Sequence, residues 1–545
     1  MNAITADAPV VQRVLPRSGA AIAGWAVRSI RRGALVLVVA VAGMTGVVAA
    51  TYAEVIAGAP GGVDSLRALV QNPAIRTLFG EPLALDTAGG FTVWRTGAAI
   101  AVILGMWSIL SATRLFRGEE DTGRWALLVA GTLSTTAVTA RVLAVIAAVP
   151  VLAGVGVTAV LVVAGTPSLG AVLHGTGLAL TGLAFAGVGA LSAQLFSRRA
   201  AAVGAATAVL PAGLLVRMVG DGVLGLGRLR WLSPFGLTAE TAPFYADRLA
   251  PLLVLAAVTA VVLAVACTVA GHRDIGEGLL PERAGRSRAH LCLLRSPKGF
   301  AARTVMAPWV GWSLGVGAFF LLIGLLTVSL TGFLTDNAAF ADLATRAGFG
   351  LDTAAGYAAT MFALLALPAG GFAVARISVL AADESSRRLA LLLAAPLTRT
   401  RFLVANIAVA VAATVLLTGV AGLAFALGAG VVDTPLGPGQ VLAGAFNTLP
   451  VALLGLGAAV LALGWAPRFI GFIGAVPTVG GFLWLVIAQS VGAPRWIENV
   501  SPFAHLAAVP AEPVDWAAGA LMLLGSVALG GVGLAAWRRR DLRTA

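Results

Sequence analysis

Residues 249–270 read LAPLLVLAAVTAVVLAVACTVA, a run without one charged side chain, closed on its far side by His272, Arg273 and Asp274. Such a run is longer than the ~20 residues a helix needs to cross the hydrocarbon core of a bilayer. Lipid offers the backbone no hydrogen bonds, so the run must be helical. The rest of the chain has the same character. Over 545 residues it is 59% hydrophobic and 11% charged, with a mean hydropathy of +0.94, whereas a soluble domain carries about 25% charged residues.

Eleven further runs of spanning length lie near 33–53, 91–112, 138–163, 172–195, 200–219, 308–333, 356–380, 402–430, 440–465, 468–490 and 515–537. The fold class is therefore an all-α polytopic membrane protein of about twelve transmembrane helices. The 67 glycines suit closely approaching membrane helices and would weaken soluble ones. With both termini cytoplasmic, about three quarters of the 37 lysines and arginines fall on the cytoplasmic side, in the N-terminal tail, 114–141, 198–199, 273–303, 376–401, Arg468 and the C-terminal end. Topology and anionic lipid account for the net charge of +13, and nucleic acid is not needed as a partner. The first apolar run follows Arg28, Arg31 and Arg32 and is long enough to span, so it reads as a retained anchor. The chain is accordingly placed in the plasma membrane. Cys267 and Cys292 suggest neither a disulfide framework nor a metal site.

The chain also repeats itself. LDTAGGF at Leu85 returns as LDTAAGY at Leu351, and EDTGRWALLVAGTL at Glu120 returns as ESSRRLALLLAAPL at Glu384. SPF at Ser233 returns at Ser501, and the HRD that starts at His272 returns as RRD at Arg539. The offsets agree to within a few residues. This divides the chain into a first half, 1–270, a cytoplasmic linker, 271–303, and a second half, 304–545. Six spans per half is an even number, so the halves are expected to be tandem parallel repeats. In the loop after the first span, VDSLRALVQ suggests a helix lying on the outer surface.

The repeated segment after the second span of each half carries the mechanism. Trp125, Leu128, Val129 and Leu133 recur as Leu389, Leu392, Leu393 and Leu397, a helical spacing that makes one apolar stripe. Glu119, Glu120 and Asp121, like Asp383 and Glu384, are expected in the first turn of an interfacial helix, where its dipole favours acids. Glu120 with Arg124 and Glu384 with Arg388 are expected i, i+4 pairs.

GEEDTGRWALLVAGTLS and ADESSRRLALLLAAPLTRTR resemble the repeated cytoplasmic element of export-type ABC permeases of the second type. WLSPFGLTAETAPFYADR and RDIGEGLLPER resemble the double-length, tetronasin-type members described as antibiotic or multidrug exporters. The resemblance implies a permease with six spans per half that moves an amphipathic or hydrophobic small molecule out of the cytoplasm or inner leaflet. It further implies coupling to two copies of a cytoplasmic ABC ATPase through Glu119, Glu120, Gly123, Arg124, Asp383, Glu384, Arg387 and Arg388. ATP and Mg2+ then act in that partner. This chain has no Gly-Lys-Ser/Thr phosphate loop, and its only lysine is Lys298 in SPKGF. Thr132 and Thr135 stand where the second copy has Pro396 and Arg399, so reversing charge at Glu384 or Arg388 is expected to cost more coupling than at Glu120 or Arg124.

Polar residues inside spans are candidates for the substrate path. His174, Asn406 and Asn447 are the leading ones; Arg95, Arg141, Gln194, Arg376 and Gln489 also fall in or near spans, the three arginines close enough to their ends to snorkel. Trp231, Trp309, Trp312, Trp496, Trp516 and Trp537 lie where an interfacial aromatic belt is expected. Ser233, Pro234 and Phe235 with Ser501, Pro502 and Phe503 are expected to form re-entrant exit-side caps. The rival function is an ion-coupled efflux carrier of the major facilitator kind. Gly118, Asp121, Gly123 and Arg124 miss that family's Gly-x-x-x-Asp-x-x-Gly-Arg spacing, and the acidic residues read as clustered in loops.

Overall fold

The computed structural model describes residues 18–52, 76–77, 79–130, 133–223, 225–280, 293–294, 296–336, 353–385, 389, 392, 397–490 and 493–540. The expected VDSLRALVQ helix, linker residues 281–292 and 295 (Cys292 among them), Thr132, Pro396, Arg387, Arg388 and Leu393 lie outside these residues. Twelve of the described helices are long and apolar enough to span a bilayer, which bears out the expected count.

The first compact unit holds α1 (Ser18–Tyr52), α2 (Ala88–Thr113), α3 (Thr135–Val163), α4 (Ser168–Leu195), α5 (Arg199–Gly222) and α6 (Ala250–Gly271). The second holds α7 (Pro297–Leu325), α8 (Ala354–Ser385), α9 (Arg399–Val431), α10 (Pro438–Trp465), α11 (Pro467–Leu485) and α12 (Trp516–Arg539). Two spans are less regular than the sequence suggests. α10 breaks between Asn447 and Leu449, where Pro450 removes a backbone donor; α11 passes through a wide turn, Val476–Gly480, around Pro477.

Each unit is organised around its fourth span. α4 packs against α2, α3, α5 and α6, and α10 packs against α8, α9, α11 and α12. Small residues permit this crowding. The Gly154 position in α3 lies against the Gly175 carbonyl of α4, so any β-carbon there would collide with backbone. Peripheral helices instead turn leucines and valines outward: Leu35, Val36 and Val39 on α1, and Leu521, Leu524 and Val527 on α12 are exposed, a surface suited to lipid. Threonines inside spans return their hydroxyls to the preceding turn, as Thr96 does to Thr92 O at 2.7 Å and Thr414 to Ala410 O at 2.8 Å.

The helix starts repeat between units. Thr87 accepts from Gly90 N and Thr353 from Gly356 N, both at 3.0 Å; Ser134 accepts from Ala137 N and Thr398 from Arg401 N, at 3.2 and 3.3 Å. Each such cap contributes about 1 kcal/mol. The expected aromatic belt is only partly realised. Trp231, Trp312, Trp496 and Trp516 are exposed, but Trp537 is buried, and Trp309 Nε1 donates to Ala413 O of α9.

Candidate functional site

The segment after the second span differs from the interfacial helix expected. α2 does not stop at Thr113: it continues through a π-helical turn, Arg114–Gly118, into Glu119–Asp121. Gly123 then takes a left-handed conformation, φ +75°, which glycine adopts without a steric penalty, and a short helix Arg124–Val129 follows. Glu119, Glu120 and Asp121 therefore close the second span instead of opening a new helix. A helix C-terminus disfavours acids by ~0.3–1 kcal/mol each, so another interaction must hold them.

That interaction is a buried clasp. The Glu120 side chain is 1% exposed and takes both terminal nitrogens of Arg273, at 2.7 Å each. Arg117, completely buried, adds its guanidinium at 3.2 Å, and the Gly276 backbone N–H donates to the same carboxylate. Arg117 also donates to Ala193 O and Glu277 O, while Arg273 donates to the Gln194 side chain and to Glu277 O. Leu279 and Leu280 complete the join by donating to Gln194 O and Leu195 O. The ends of α2, α4 and α6 are thus tied at one carboxylate.

The expected Glu120–Arg124 pair does not form. Arg124, 67% exposed, reaches Glu119 at 3.3 Å, because the break at Gly123 turns it away from Glu120. Behind the turn the apolar stripe is as the sequence suggests. Trp125 is buried edge-on to Phe116, with Leu128, Val129 and Leu133 packed on the same core. Asp121, Thr122, Gly123 and Arg124 are left facing outward beside Leu127.

The second unit has its own clasp at the matching register. Arg540 brings one guanidinium nitrogen to both oxygens of Glu384, at 2.8 and 2.6 Å, and its carbonyl accepts from Arg399. Leu389 is buried, with Leu392 and Leu397 packed against the same cluster. Ala381 occupies the position of Arg117, and α8 runs as regular helix through Ser385 without the π-turn. The first clasp thus carries Arg117 and Arg273, and the second carries Arg540. Sequence reading marked HRD and RRD as repeat signposts but missed that their central arginines, Arg273 and Arg540, grip the repeated glutamates.

At the opposite end of the first unit lies a cavity of about 410 Å3 formed by the start of α2, α4, the end of α5 and residues 79–83 and 230–248. An ionic network frames it. Arg217 pairs with Asp221 at 2.5 Å and donates to Phe79 O; Arg230 reaches Glu240 at 2.7 Å, Glu81 at 2.9 Å and Asp221 at 3.5 Å. Burial alone would lower the pKa of Arg230, but Glu81, Glu240 and Asp221 outweigh it and raise it. Asp221 corrects the reading that the acids cluster in loops, for it sits buried in the last turn of α5.

His174 lines this cavity, 3% exposed, and its Nδ1 has no hydrogen-bond partner. Asn406 and Asn447 belong to the other unit, and both amides are already used. Asn406 donates to Phe402 O of its own helix, and Asn447 to Ala507 O, both at 2.9 Å. The two SPF elements do fold back along the preceding span. Ser233 Oγ donates to Gly213 O at 2.7 Å and Ser501 Oγ to Gly481 O at 2.8 Å, while Phe235 and Phe503 are buried and Pro234 and Pro502 begin short helical turns. Gly213 lies nine residues before the end of α5, about 13 Å along its axis.

Comparisons with known proteins align with this architecture. Residues 294–538 match the family described as Multidrug efflux system permease Rv1217c, C-terminal domain. Over 485 residues the chain is 30% identical to the Multidrug efflux system permease protein Rv1217c of Mycobacterium tuberculosis (strain ATCC 25618 / H37Rv), a match that covers 87% of this chain and 86% of that protein.

Proposed function

Because this chain belongs to the family of multidrug efflux system permeases represented by Rv1217c, we propose that it is the permease of an ATP-driven exporter, docking a separate ABC ATPase on each of its two clasped turns. The observation that carries this reading is the clasp itself. A buried carboxylate fixes the end of the second span to the end of the sixth in the first unit, and the turn beyond it remains exposed. Movement imposed on that turn by a partner would be passed to both spans, because the ends are joined by charge-assisted hydrogen bonds. In this reading Arg124, Asp121 and the neighbouring backbone form the docking face, while Glu120 and Glu384 position it. ATP and Mg2+ belong to the partner. The clasped end faces the cytoplasm together with both termini, and a hydrophobic or amphipathic small molecule is carried outward.

The ion-coupled alternative draws on one observation, the buried Asp221. Its carboxylate is held in ion pairs by Arg217 and Arg230, which fits a structural group. Purification of the tagged chain from its own cells in mild detergent distinguishes the two. The expected result is co-purification of a nucleotide-binding ATPase at two copies per chain, with dye efflux that stops on ATP depletion. Efflux that survives ATP depletion and collapses with a protonophore would overturn the proposal.

A further inference from the structure

We infer that the cavity framed by Arg217, Asp221 and Arg230 is a binding site for an uncharged aromatic molecule of two or three rings that carries a hydroxyl group, with His174 receiving that hydroxyl. Its volume of about 410 Å3 falls within the range of small-molecule pockets. Phe79, Trp94, Phe235 and Tyr245 supply aromatic walls, and flat rings are the shape that stacks on them.

Charge is the second argument. Three arginines, Arg217, Arg230 and Arg248, and three carboxylates, Glu81, Asp221 and Glu240, line the space, and they are paired with one another. An ionic ligand would have to break one of those pairs. The two Asp221 carboxylate oxygens are met by ion pairs and not by hydrogen bonds, whereas the buried Nδ1 of His174 has a partner of neither kind. A neutral imidazole has one donor and one acceptor nitrogen, and a hydroxyl can answer either, whereas a carboxylate only accepts and an ammonium only donates. Gly97 makes room for the ring: a β-carbon there would stand 3.1 Å from His174 Cε1. In the second unit, Gln489 and Glu498 stand where Asp221 and Arg230 do at the offset of the SPF repeat, so this charge pattern belongs to the first half alone.

The ligand's role in transport rests on the efflux reading; its binding does not. The test is equilibrium dialysis of 4-phenylphenol against the full chain in lipid nanodiscs, with empty nanodiscs subtracting partition into lipid, and with no ATPase or nucleotide present. One saturable site is expected. His174→Leu should weaken 4-phenylphenol roughly tenfold, the size of one lost buried hydrogen bond, and leave biphenyl unchanged. His174→Gln should restore most of the affinity, and Gly97→Val should reduce binding of both probes. Biphenyl-4-carboxylate and 4-phenylbenzylamine should bind more weakly than the phenol. Absence of saturable binding, an equal effect of His174→Leu on phenol and biphenyl, or tighter binding of either charged analogue would overturn the inference. Failure here would leave co-purification with an ATPase untouched, and the reverse also holds.

Discussion

Glu120→Ala is expected to destabilise the chain by about 3–5 kcal/mol, the cost of leaving buried charge without its counterion. Two guanidinium groups depend on this carboxylate, Arg117 at 0% exposure and Arg273 at 5%, and without it they face each other. Glu384→Ala frees Arg540, whose side chain is 18% exposed, and a loss of about 1.5–3 kcal/mol is expected, that of a charged hydrogen bond. Arg124→Glu should cost under about 1 kcal/mol, as an exposed pair does. Thermal loss of the monodisperse peak in detergent should rank the three in that order. This order is one of stability, set by the depth at which Glu120 is buried, and stands apart from the order of coupling loss suggested by the Pro396 and Arg399 pattern. Arg124→Glu would then lower transport with little loss of stability, which separates docking from folding. Equal stability of Glu120→Ala and Arg124→Glu would contradict the clasp.

At the other end of the unit, Asp221→Ala should cost a similar ~3–5 kcal/mol, because the Arg217 guanidinium, 5% exposed, loses its carboxylate. Glu81 and Glu240 still hold Arg230 but do not pair with Arg217. Replacing the pair with apolar residues of similar volume, Arg217→Met with Asp221→Leu, should recover much of that loss, since a buried ion pair is often no more stable than a well-packed apolar one. The check is a double-mutant cycle on detergent stability, in which the double variant should exceed Asp221→Ala. A double variant no better than the single one would mean that Asp221 acts chiefly through groups other than Arg217.

The spans, their number and the repeat were legible because lipid imposes a crude, length-based signal on sequence, and because Thr87, Ser134, Glu120 and Ser233 recur at nearly one offset. The partners of those residues were not. Glu120 and Arg273 are 153 residues apart, and pattern reading favours near neighbours such as Arg124. The break at Gly123 could have been suspected from glycine in a charged turn, but the π-turn before it leaves no signature in Arg114–Gly118. The cavity was legible only through His174, since Glu81, Asp221 and Arg230 are scattered over loops and a span end and meet only in the fold.

All of this presumes that the clasped ends lie on the side where an ATPase can reach them. Single cysteines at Thr122 and Arg401 place a probe at the clasped end of each unit, and cysteines at Asp86 and Glu512 place one at the opposite end; all four positions are exposed. One span separates Asp86 from Thr122, so the two must lie on opposite sides of the membrane. In cells free of the native Cys267 and Cys292, a membrane-impermeant maleimide should label Asp86→Cys and Glu512→Cys directly, and Thr122→Cys and Arg401→Cys only after permeabilisation. Labelling of Thr122→Cys or Arg401→Cys in sealed cells would put that turn outside, beyond any cytoplasmic ATPase, and would contradict the account.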